Sequence, residues 1–128
     1  MIKTDIWKKY QKIGIIGLGA FGNVYKAKYN NEYFSIKEIT KIKSDKNQLL
    51  REIEVMKKME CDNLVKLIES VETEESFYVI SELCHFNLAE YLNTKKEGLL
   101  IEEIKELLID LNKGLKVIYE KKNNTWRY

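Results

Sequence analysis

Gly17-Leu18-Gly19-Ala20-Phe21-Gly22 reads G-x-G-x-x-G, and the residues after it constrain the fold more than the glycines do. In a dinucleotide-binding βαβ unit the third glycine opens a helix. Here Val24 to Tyr29 follows, rich in β-formers and without helical spacing. Asn30-Asn31 is a turn signal and Tyr33 to Ile39 is a second β-rich run, so the two runs predict a hairpin. Glu38 stands near the spacing of a ribose-binding acid, but inside the second hairpin strand, which is the wrong context. Two readings remain for the glycines: a turn with no ligand, or a strand-loop-strand lid. In the lid, small residues let backbone N–H groups approach an anion.

The rest of the chain extends the pattern. Tyr10 to Ile16 leads into the glycines as a first strand. Ser44-Asp45 offers helix caps before Lys46 to Met59. Leu64 to Val71 and Phe77 to Ser81 read as another strand pair around a polar turn. Leu88 to Asn93 is a short helix. Ile101 to Lys121 is a long one, with Ile104, Leu107, Leu108, Leu111, Leu115 and Ile118 at helical spacing. The order predicts an α+β fold, an antiparallel sheet with one helix against it and further helices after it. At 128 residues and 45% hydrophobic, one small domain with a core is expected. A net charge of +2 argues against a strongly basic nucleic-acid binder. No apolar run approaches membrane-spanning length, and Cys61 and Cys84 make neither a disulfide framework nor a zinc motif. The expectation is a reduced, cytoplasmic chain.

One lysine and one glutamate stand out. Alternation along Tyr33 to Ile39 puts Ser35, Lys37 and Ile39 on one face. On the following helix, with Leu49 at the origin, Glu52 falls at ~300°, between Met56 at ~340° and Met59 at ~280°. A carboxylate inside an apolar stripe calls for a cation, and Lys37 is the obvious candidate. Alternatively, Glu52 sits at the edge of the stripe and reaches water, and Lys37 is a solvated strand lysine.

Together these residues resemble the N-terminal lobe of a eukaryotic protein kinase, of the Ser/Thr class. Gly17 to Val24 looks like the glycine-rich loop with its valine, and Phe34-Ser35-Ile36-Lys37 looks like the V-A-I-K strand. Glu52 falls where the helix C glutamate pairs with that lysine. Cys61-Asp62-Asn63-Leu64-Val65 resembles H-P-N-I-V without its His and Pro. Tyr78 to Cys84 resembles the fifth strand entering the hinge, and the last two helices resemble helices D and E. The implied division is an extension over 1–9, an N-lobe over 10–81, a hinge over 82–87 and the start of a C-lobe over 88–128.

The resemblance implies an ATP site. Gly17, Gly19 and Gly22 would cover the phosphates, and Lys37, held by Glu52, would pair with them. Val24 and Ser35 would line the adenine slot, and the Glu82 carbonyl and Cys84 backbone would bond the base. Ser81 would set the depth behind the adenine, and Asn87 would lie near the ribose. Cys84 reads as a plain hinge residue and His85 as a solvent-facing loop residue. The family continues into H-R-D-x-x-x-x-N and D-F-G, which these 128 residues do not contain. Allowing one inserted residue, Trp126-Arg127-Tyr128 stands where H-R-D belongs, and a tyrosine with a pKa near ~10 is a poor base at neutral pH. The expected catalytic residues are therefore none. Mg²⁺ is expected for the family, but its ligands are not among these residues. Three functions compete: an incomplete copy of a protein kinase, a non-catalytic kinase-like module binding nucleotide or a partner, and, well below both, a Rossmann oxidoreductase. A protein partner covering the apolar face of the last helix is also expected; no nucleic acid and no membrane are expected as partners.

Overall fold

The computed structural model describes residues 5–18, 22–43 and 45–125. Gly19, Ser44 and the run Trp126-Arg127-Tyr128 lie outside the described residues. Five antiparallel strands form one sheet: β1 (Gln11–Leu18), β2 (Asn23–Tyr29), β3 (Glu32–Thr40), β4 (Leu67–Glu72) and β5 (Ser76–Glu82), in the spatial order β1-β2-β3-β5-β4. Helix α1 (Ile6–Lys9) precedes them, α2 (Lys46–Lys58) connects β3 to β4, and α3 (Leu88–Thr94) and α4 (Ile101–Thr125) follow. The α+β arrangement expected from the sequence is the one observed, with the additional short helix α1.

Local chemistry explains most boundaries. Asn30 and Asn31 both adopt positive φ, 48° and 63°, as a two-residue hairpin loop of the type matching strand twist requires. Asparagine tolerates that region better than most side chains. Asp45 caps α2, its carboxylate accepting from the Asn47 and Gln48 amides. Asn87 caps α3 in the same way, accepting from the Glu90 amide at 2.8 Å. The strand expected from Leu64 begins three residues later. Residues 61–64 instead close a turn, in which the Leu64 amide donates to the Cys61 carbonyl and the Asn63 amide to the Cys61 sulfur.

Strand alternation divides the apolar residues into two cores. On the outer face Ile6, Tyr10, Ala27, Phe34, Ile36 and Ile80 pack together, flanked by Trp7, Val71 and Tyr78. On the inner face Ile39, Phe77 and Val79 meet Leu49 and Ile53 of α2, with Leu67 beside them. The segment before β1, expected as an extension, closes the outer core. Tyr10 is only 2% exposed, and its hydroxyl donates to Glu69 of β4 at 2.7 Å. Lys9 reaches the same carboxylate oxygen at 2.7 Å. The start of β1 is thereby tied to the strand at the opposite edge of the sheet. The hydrogen bonds from Lys9 and then Tyr10 hold the Glu69 carboxyl below the usual carboxylate range, against a smaller opposing effect of burial.

Helix α4 is attached through a glycine. Gly114 is buried, and a Cβ built on it would stand 2.9 Å from the Asn63 carbonyl oxygen and 3.3 Å from a Leu64 methyl. Around the helix from that contact, Ile104, Leu108, Leu111 and Leu115 lie 42–59% exposed. Among the described residues, the apolar face expected on the last helix is therefore left uncovered at these four positions, while Ile118 is half-buried.

Two outcomes follow for stability. Because the folded state binds a proton at Glu69 less readily than the unfolded chain, the stabilisation is present above the unfolded pKa. It is lost as pH falls through the lower folded value. Glu69→Gln is expected to lower the Tm by a few degrees at neutral pH and to flatten the acid limb of a Tm-against-pH series below about pH 4. Gly114→Ala adds helix propensity worth about 1 kcal/mol, but must push on a backbone oxygen, which costs about 1–3 kcal/mol. Urea unfolding should show net destabilisation, the opposite sign from the same change on an exposed helix face.

Candidate functional site

The inner face of β1–β3, beyond the part covered by α2, is open. The register places Val24 opposite Lys37 and Gly17 opposite Val24, so these three share one rung of the ladder. Ser35 stands opposite Ser81 across β3 and β5, and Lys37 opposite Val79. Directly opposed residues in antiparallel strands point to the same side. Gly17, Val24, Ser35, Lys37 and Ser81 are thus brought to one face, next to the segment that leaves β5. Lys37 is exposed, while Val24, Ser35 and Ser81 are half-buried.

The two described glycines of the loop answer to different demands. A Cβ at Gly22 would lie 1.7 Å from the Glu38 carbonyl oxygen. The close crossing of the chain over β3 therefore permits only glycine at that position. At Gly17 a Cβ would make ordinary contact with Val24, at 3.6 Å. Packing does not require a glycine there, and its absence of side chain leaves the face above Val24 clear.

The expected pairing of Lys37 with Glu52 is not formed. Among the described residues no ion pair joins them. Lys37 does lie on the same side of the sheet as α2, since Val79 opposite it packs against Leu49 and Ile53. Glu52, however, is exposed and accepts from the Gln48 side chain one turn earlier, at 3.3 Å. The buried residues of α2 are Leu49, Ile53 and Val55, and Met56 is itself 37% exposed. The stripe is narrower than helical spacing suggested. The Glu52 carboxylate keeps its water, and the desolvation cost that called for a cation does not arise.

At the exit from β5, Glu82 is held twice by Lys66. Its amide donates to the Lys66 carbonyl at 3.0 Å, and its carboxylate accepts from the Lys66 amide at 2.9 Å. The sequence pattern puts Lys66 in a strand paired with β5, but nothing in it signals that the Glu82 carboxylate accepts from the Lys66 amide. Cys84 is exposed with a free thiol, His85 is exposed, and Asn87 uses its side-chain oxygen on the α3 cap. A cavity of about 550 Å³ opens behind this segment, lined by Met56, Met59, Cys61, Leu64, Leu67 and Glu82 among others. Leu67 is the register partner of Ser81, but Ser81 is not on the cavity wall. Among the described residues no group of three or more His, Cys, Asp or Glu side chains is placed to hold a metal ion. No helix of the described residues is long and apolar enough to cross a membrane.

With this geometry in hand, comparison with known proteins is decisive: residues 10–124 match the family described as protein kinase domain. The chain belongs to that family. Cyclin-dependent kinase-like 1 of Caenorhabditis elegans is similar to it, 30% identical over 119 residues, which is 89% of this chain and 34% of that protein. The chain spans about a third of the length of this curated relative. The five-stranded sheet with α2 is accordingly a protein-kinase-like N-lobe, followed by helices.

Within this kinase lobe the contrast between the glycines is testable. Gly17→Ala is expected to change stability by no more than about 0.5 kcal/mol, as at an unstrained surface position. Gly22→Ala is expected to cost about 2 kcal/mol or more, because the clash is with backbone. Thermal melts of the two variants check this.

Proposed function

We propose that this chain is the nucleotide-binding part of a Ser/Thr protein kinase, and that the family's activity is transfer of the ATP γ-phosphate to protein. The observation that carries the reading is the shared face of Gly17, Val24, Ser35, Lys37 and Ser81 beside the exit of β5. That donor set suits ATP. Small side chains at Gly17, Ser35 and Ser81 leave room for a flat base against Val24, and the Lys37 ammonium supplies positive charge for phosphate oxygens. Gly19 and Gly22 complete the loop. The Glu82 carbonyl and the Cys84 backbone meet the base at the hinge, and Asn87 stands at the ribose edge. Glu52 is the residue that would hold Lys37 once the two carboxylate-to-ammonium partners approach. In this reading the N-lobe covers 10–81, the hinge 82–87 and the start of the C-lobe 88–128, and the chain works in the cytoplasm.

Bound ATP, with Mg²⁺, would bring the transferable phosphoryl group. The protein's share within these residues is to bind and orient it. Phosphoryl transfer depends on positioning and on metal ions that neutralise charge, and needs a base for the acceptor hydroxyl. The H-R-D and D-F-G motifs that supply the base and metal ligands do not occur among these 128 residues. We therefore propose that these residues alone bind ATP and transfer no phosphate. A second reading, a non-catalytic kinase-like module for nucleotide or a protein partner, is favoured by the lack of an ion pair between Lys37 and Glu52 among the described residues and by the exposed apolar residues of α4.

A thermal-shift titration with ATP tests the proposal. A ligand at about 100 times its Kd stabilises by about 2.7 kcal/mol, which raises Tm by several degrees in a domain of this size. Lys37→Ala should abolish the shift. Incubation with radiolabelled ATP and generic acceptor proteins should give no labelled product. An ATP shift that survives Lys37→Ala would overturn the assigned site. Transfer above background that is lost in Lys37→Ala would overturn the inactive reading of these residues.

A further inference from the structure

The open inner face continues past the nucleotide rung. Along β2 and β3 the register sets Lys26 opposite Ser35 and Lys28 opposite Tyr33. Successive same-side positions in a strand are about 6–7 Å apart, so Lys37, Lys26 and Lys28 mark three consecutive rungs over roughly 13 Å. The neighbouring β1 position at the Lys26 rung is Gly14, where a Cβ would meet nothing within 4 Å. That rung is therefore flanked by Gly14 and Ser35 and is open above. Among the described residues neither Lys26 nor Lys28 is ion-paired. The carboxylates of β3, Glu32 and Glu38, fall on the opposite face, where Glu38 accepts from the Tyr78 hydroxyl at 2.7 Å. The sequence thus sorts charge by face: on this stretch of the inner side stand Lys26, Lys28, Ser35 and Tyr33 of β2 and β3, and no acid of these two strands.

We propose that these rungs form a track for an extended acidic peptide segment with a carboxylate or phosphate at every second residue. An extended peptide presents alternate side chains to one side at the same spacing of about 6–7 Å, so its acids fall in step with Lys26 and Lys28. Tyr33 has the Lys26 ammonium 4.6 Å and the Lys28 ammonium 5.6 Å from its ring centroid. The exposed aromatic ring steadies both ammonium groups of these half-buried lysines. The track does not rest on the nucleotide reading, because it is tested without nucleotide and with Lys37 intact.

The test is fluorescence anisotropy of the chain with a short labelled peptide alternating Glu and Ser, against an isomer with the same residues in two blocks. The alternating peptide is expected to bind more tightly, with an affinity that falls as salt rises. Lys26→Gln with Lys28→Gln should weaken it about tenfold or more and flatten the salt dependence. Lys105→Gln with Lys116→Gln, on exposed positions of α4, should leave it unchanged. Circular dichroism and a melt of each variant establish that the fold is retained. The single substitutions Lys26→Gln and Lys28→Gln keep the test open if the double variant fails to fold, and each should weaken binding. Affinity unchanged by the Lys26 and Lys28 substitutions, equal binding of the block isomer, or tighter binding of single-stranded poly(U) or of phosphatidylserine vesicles in competition would overturn the proposal.

Discussion

The pairing of β3 with β5 is the constraint on which the rest of the lobe depends. These two strands run together over seven rungs, from Phe34 and Glu82 to Thr40 and Ser76. β5 is buried on both faces and β3 on its outer face and at Ile39, with Ile36 and Ile80 fully enclosed on the outer side and Ile39, Phe77 and Val79 on the inner side. A strand covered on both faces has its register fixed strongly, because a slip of one residue would exchange two apolar faces of different shape. The hairpin β1–β2, the helix α2 and the β4 edge are all attached to this pair. The same register decides that Ser35, Lys37 and Ser81 share a face.

The outer core is closed by tertiary interactions with little local preparation. Trp7 sits edge-on to Tyr25 and Tyr78, with ring centroids 5.3 and 6.4 Å apart, and Lys12 lies 4.4 Å from the Trp7 ring centre. Tyr10 and Lys9 converge on Glu69. One side of the sheet is therefore finished as a packed surface, while the other side of β1–β3 is left open and lined with lysines. An open, cationic face on a rigid sheet is a physical reason for binding an anion there, independent of any relative.

The lobe is also asymmetric in how its helices are held. Helix α2 meets the sheet through its first two turns, at Leu49 and Ile53, and its Glu52 faces water. Helix α4 touches the body at Gly114 and presents Leu108, Leu111 and Leu115 outward.

Much of this was legible in the sequence because it is local. The paired asparagines set the hairpin, Asp45 starts its helix, and period-two alternation sorts Ser35 and Lys37 from Phe34 and Ile36. The motif spacing was enough to indicate the kinase family. What only the tertiary structure decided are distances between segments far apart in the chain. Helical spacing placed Glu52 within a stripe, but the stripe's width depends on how far the sheet reaches along α2, and the sheet leaves Glu52 in water. Gly22 looked like its neighbours until the Glu38 carbonyl was found beneath it. Glu69 and Tyr10, 59 residues apart, and Glu82 and Lys66, 16 apart, meet because strands fold back on one another. Sequence periodicity reports which side a residue takes. Which group it meets there is fixed by the packing of several elements at once, and no single segment contains that information.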